Sequence, residues 1–149
     1  SAYVDLVLKE AALTAGRTRV ATHDGSLPAD YVENLAYIDE LQAAGQLRPG
    51  LLVRALREQR FELFEQTLAV LGGFSEAQVH HAIRAPTAEP LYLACIAVGV
   101  DKAVFASVLV EVRKLSGGLP GEGGWTATPM NAHSASRAFR QMMENPVIV

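Results

Sequence analysis

Leu47-Arg48-Pro49-Gly50-Leu51-Leu52 has two echoes downstream, Phe74-Ser75-Glu76-Ala77-Gln78-Val79 and Val100-Asp101-Lys102-Ala103-Val104-Phe105. Each copy runs from a bulky apolar residue, through a polar or cap-like residue and two helix-opening positions, to an apolar anchor. The copies start 27 and then 26 residues apart. A second register supports the first: Ala55-Leu56-Arg57 recurs as Ala82-Ile83-Arg84, and Leu63-Phe64 as Leu91-Tyr92. A period of this length predicts stacked helical hairpins, none of which buries its apolar face alone. The expected fold is all-α, about seven helices, as a short HEAT-like solenoid or a compact repeat bundle.

Working outward, residues 3–15 carry Val4, Val7, Leu8 and Ala11 on one helical face, and Gly16 stops that helix. A polar connection with Asp24-Gly25-Ser26 follows. Residues 29–44 form the next helix, with Tyr31, Leu35, Ile38 and Leu41 on one side and Gly45 in place as its C-terminal glycine. Pro49 opens a short helix, and residues 61–71 are apolar over a wide arc until Gly72-Gly73. Ser75 reads as an N-cap with Phe74 as its staple, and Thr87 as the cap of the helix after it. Residues 90–100 contain no charged side chain, which makes them the central core helix; a buried strand is the alternative, opposed by Ala94, Cys95 and Ala97. Asp101 caps the last repeat helix, where Val104, Val108 and Val112 form one row beside Phe105 and Leu109.

Residues 116–124 hold five glycines and a proline and read as a flexible linker. The expected organisation is a helical repeat domain over 1–115, a linker over 116–129 and a tethered C-terminal helix over 130–149. That helix carries Phe139, Met142 and Met143 as docking residues, flanked by Arg137 and Arg140. It docks on its own domain, swaps onto a second copy to make a homo-oligomer, or engages a partner.

Ala43-Ala44-Gly45-Gln46-Leu47 leads into Leu51-Leu52-Val53-Arg54-Ala55-Leu56-Arg57. Phe61-Glu62-Leu63-Phe64-Glu65, the Gly72-Gly73 stop, Ala97-Val98-Gly99-Val100 and Phe105 follow. Together these resemble an uncharacterised, mainly alphaproteobacterial family catalogued as domain of unknown function 2336, over about residues 31–115. The resemblance implies an all-helical bacterial cytosolic protein and brings no catalytic residues.

The formal net charge of −3 lacks the basic excess of a general polyanion binder, which argues against nucleic acid. The single cysteine, Cys95, lies in an apolar run and reads as a buried small hydrophobe. No stretch reaches the roughly 20 apolar residues of a membrane span. Asp5, Lys9 and Glu10 break the layout of a secretory signal, so a cytoplasmic location is expected.

The strongest chemical candidate is Arg48, Arg54, Arg57 and Arg60, four arginines within thirteen residues, with Arg84 repeating Arg57. They read either as a solvated face paired with Glu58 and Glu62 or as an anion-binding strip. His80 and His81 diverge by about 100° on a helix and cannot share an ion; Glu76 with His80 gives only two ligands, so no metal and no cofactor are expected. Ser75 and Ser107 lack a His–acid pattern, and the 117–124 glycines lack the Lys and Ser/Thr of a phosphate loop. The expectation is a non-enzymatic module binding an unidentified protein partner. The alternative is anion or nucleic-acid binding through Arg54, Arg57, Arg60 and Arg84.

Overall fold

The structure, a computed structural model, describes residues 29–123, 125 and 130–144. The expected helix over 3–15 and the connection after it lie outside the described residues. The described residues are all-α: seven helices and no strand. The chain forms two units, Ser1–Leu47 and Arg48–Val149. The expected divisions at 115 and 129 both fall inside the second.

In the first unit α1 spans Ala29–Ala43, with Tyr31, Asn34 and Ile38 buried. Gly45 ends it as expected: at φ 70° it lets Gln46 N–H reach the Leu41 carbonyl at 2.8 Å.

The second unit contains α2 (Gly50–Arg57), α3 (Phe61–Gly72), α4 (Glu76–Ile83), α5 (Glu89–Ala97), α6 (Lys102–Leu115) and α7 (Ala132–Glu144). Helices α2, α4 and α6 begin 26 residues apart, within one residue of the 27 and 26 that separate the sequence copies. Helices α2 to α5 pack sequentially, α6 closes on α2 and α5, and α3 touches α5. Leu63, Phe64 and Leu68 of α3 are fully buried, as are Leu91, Ala94 and Cys95 of α5. Pro90 to Ile96 form the buried stretch of the uncharged run; Ala97 and Val98 are half-buried.

Local chemistry explains the ends. Ser75 makes a reciprocal capping box with Gln78, each side chain accepting from the other's backbone N–H at 3.0 Å. Thr87 does not cap α5: Ala88 stands at that place without a side-chain bond, and Pro90 sits in the first turn, where its missing N–H costs nothing. Asp101 is at the N-cap of α6 but makes no side-chain cap bond. Helix α3 ends in a left-handed Gly73, and Phe74 N–H bonds back to the Ala69 carbonyl at 2.9 Å.

Segment 116–123 differs from the expected flexible linker. Its glycines and Pro120 exclude helix, but they also let the backbone lie close against the α4–α5 turn. Gly121 N–H donates to the Ala85 carbonyl at 3.2 Å, and Ala88 N–H donates to the Gly123 carbonyl at 3.1 Å. A Cβ on Gly121 would stand 2.1 Å from the Pro86 oxygen, so only glycine fits there. Arg113 Nε donates to the carbonyls of Gly118 (3.2 Å) and Pro120 (3.0 Å), while its Nη1 meets Glu122 at 2.9 Å. Trp125 lies edge-on to Phe105 at 4.9 Å between centroids and tilted against Tyr92 at 5.7 Å.

Helix α7 is docked on the same chain, chiefly on α5. Asn131 opens it, its side-chain oxygen accepting from Ser134 N–H at 2.8 Å. Phe139 is fully buried, with its ring 4.4 Å from that of Phe74. Phe74, expected as a staple for α4, thus receives the C-terminal helix. Met142 and Met143 are half-buried. Among the described residues no helix is long and apolar enough to cross a membrane.

Candidate functional site

The five arginines of the sequence reading fall into separate local arrangements. On α2, Arg54 pairs with Glu58 at 3.7 Å, the i, i+4 contact its spacing suggests. Arg60 meets the same Glu58 at 3.9 Å. These pairs are about half exposed and contribute little to stability. Arg48 is exposed just before α2.

On α4, Arg84 Nε donates to His80 Nε2 at 2.7 Å, and His80 Nδ1 lies 3.2 Å from the Glu65 carboxylate on α3. Both bonds together require the neutral imidazole protonated on Nδ1. Arg84 is therefore the end of a Glu65–His80–Arg84 chain that ties α4 to α3. Among the described residues no group of three His, Cys, Asp or Glu side chains could hold a metal ion.

Arg57 differs from the others. Its side chain makes no ion pair or hydrogen bond among the described residues, and it lines a groove between α2 and α6. The groove has a volume of about 260 Å³ and is walled by Val53, Leu56 and Arg57 of α2 and by Val104, Ser107, Val108 and Glu111 of α6. Four aliphatic side chains form its apolar wall. Arg57 stands on one bank and Glu111 on the other, where Lys114 Nζ meets the Glu111 carboxylate at 3.3 Å.

The groove exists because α6 presents two faces. Phe105, Val108, Leu109 and Val112 are buried. Val104, expected in the buried row with Val108 and Val112, is instead 40% exposed, and Val110 is 52% exposed. With Ala103, Ala106 and Ser107 they form an exposed, mostly apolar face that is uncharged from Ala103 to Val110 and ends at the Glu111–Lys114 pair. That face was legible in the sequence: Ala103, Ala106, Ser107 and Val110 lie at i, i+3, i+4 and i+7. The stronger stripe on the opposite side of α6 concealed it. Sequence reasoning also passed over Trp125, whose aromatic partners come from distant segments, and Glu111.

Cys95 is fully buried, and burial pushes its thiol up to about 12. It is a packed side chain without thiolate character.

Comparison with curated proteins and with solved structures returned no match. A family match covers residues 4–145, nearly the whole chain and well beyond the stretch that carried the resemblance. The chain belongs to that family, described as "Uncharacterised protein conserved in bacteria (DUF2336)".

Proposed function

We propose that the chain is a non-enzymatic protein-interaction module, a regulator, adaptor or scaffold working in the bacterial cytoplasm. Its hairpins would form a short HEAT-like stack that offers one helix face to a partner. The observation that carries this reading is the exposed apolar face of α6 over residues 103–110, where Val104 and Val110 are among the few large aliphatic side chains left in water. Apolar surface gathered in this way beside a groove is the usual mark of a protein contact.

The test is capture of partners from the source bacterium by the full chain and by Val110→Asp. Val110 is outside the core, so the variant should keep the wild-type melting temperature and lose the captured protein. Retention of every captured protein by a folded Val110→Asp chain would reject this face as the contact.

A second reading, anion binding, is favoured by one feature, the exposed Arg57 without an ion pair among the described residues. Capture that weakens steeply with salt and is lost in Arg54→Ala/Arg57→Ala would favour it. An apolar contact changes little with salt.

A further inference from the structure

Resting on the interaction reading above, we infer that the α2–α6 groove receives an amphipathic helix of a partner protein through a branched aliphatic anchor flanked by a carboxylate. Its volume, about 260 Å³, lies below the roughly 300–1,000 Å³ typical of cofactor and drug-sized pockets and suits one or two side chains. Val53, Leu56, Val104 and Val108 supply the apolar wall for such an anchor.

Charge selects the flank. The Glu111 carboxylate already has Lys114 at 3.3 Å, whereas Arg57 has no counter-ion among the described residues. The uncompensated charge at the groove is therefore positive and lies on the α2 bank. A guanidinium there meets a carboxylate through paired N–H donors, so the occupant carries Asp or Glu on the side facing α2. Next to the groove, Ala103 and Ala106 are exposed and small, which lets a second helix backbone approach α6 closely.

The inference is tested by methyl NMR on the full chain with three small probes: 4-methylpentanoate, 4-methylpentan-1-ol and acetate. The expected result is movement of the Val53, Val104 and Val108 methyls with 4-methylpentanoate. The alcohol should bind about three-fold or more weaker, because it lacks the charge-assisted bond to Arg57. Acetate should leave the methyls unmoved. Arg57→Gln should bring the carboxylate down to the affinity of the alcohol while the melting temperature holds. Equal responses to acetate and 4-methylpentanoate, or valine methyls that ignore every probe, would overturn the inference.

A blocked helical peptide with Leu and Glu four residues apart supplies the second arm. It should bind about ten-fold or more tighter than 4-methylpentanoate and compete with it, since the helix also covers the α6 face. A peptide no tighter than the small acid would mean a site for free aliphatic acids and would overturn the helix as occupant. Loss of partner capture in Val110→Asp without any probe response would sink this inference alone and leave the interaction reading standing.

Discussion

The guanidinium of Arg140 donates to the carbonyl of Gly72 at 2.8 Å, joining residues 68 apart in sequence. Its other terminal nitrogen reaches the Gly73 carbonyl at 3.2 Å, and the cation lies 5.1 Å from the centre of the Phe74 ring. A cation at the C-terminal end of α3 meets the negative end of the helix dipole as well as carbonyls left without intrahelical partners. One side chain thus fixes the C-terminal helix against the end of α3, next to the Phe74–Phe139 contact.

That arrangement predicts that α7 is a structural part of the second unit. Phe139→Ala should cost about 3–5 kcal/mol in urea unfolding, the usual loss for a fully buried phenylalanine. Arg140→Ala, at an exposed site, should cost about 1 kcal/mol. A Phe139→Ala chain as stable as wild type would mean that α7 is dispensable for the fold.

Gly121→Ala should destabilise by about 1–3 kcal/mol, because the new Cβ must push against the Pro86 backbone rather than against a flexible side chain. Trp125, the only tryptophan, should report it through a shifted fluorescence as the segment moves off Tyr92 and Phe105. Gly50→Ala, at a site with nothing within 4 Å, is the control and should leave stability unchanged or raised. If the two variants melt alike, segment 116–123 is not held against the α4–α5 turn.

Cys95 should resist thiol reagents in the native state and react after denaturation. Its folded value near 12 exceeds the ordinary 9.0, so the folded chain keeps its proton where the unfolded chain releases it. The contribution is therefore complete below pH 9 and declines as pH rises from 9 towards 12, by up to about 1.4 kcal/mol per pH unit. Cys95→Ala should be less stable at neutral pH and lose less stability over that interval. Identical pH slopes for the two chains would show that the thiol is not buried as described.

Thr67 is fully buried on α3, and its hydroxyl is the only buried side-chain oxygen or nitrogen among the described residues that lacks a hydrogen-bond partner. Thr67→Val replaces it with a methyl group of similar shape and should stabilise by about 1 kcal/mol. Destabilisation in chemical unfolding would show that the hydroxyl has a partner in solution.

The sequence by itself determined the helices and most of their ends. Gly45, Gly73 and Ser75 signal through local backbone chemistry, and the uncharged run in α5 admits no wet face. The spacing of α2, α4 and α6 was also legible to within one residue, because periodicity is a one-dimensional property. Thr87 failed as a cap because a helix start depends on where the preceding turn leaves the chain, which residue type alone does not reveal.

Only the tertiary structure decided how distant segments meet. Glycines at 117–123 exclude helix, yet nothing in their composition tells a free linker from one seated on Pro86; the seating depends on a surface made by α4 and α5. Arg54, Arg57, Arg60 and Arg84 look alike in the sequence, but Glu58 occupies two of them and His80 a third. Which arginine keeps an open guanidinium, and which face of α6 stays in water, follows from long-range packing, the part of the free energy that local pattern does not encode.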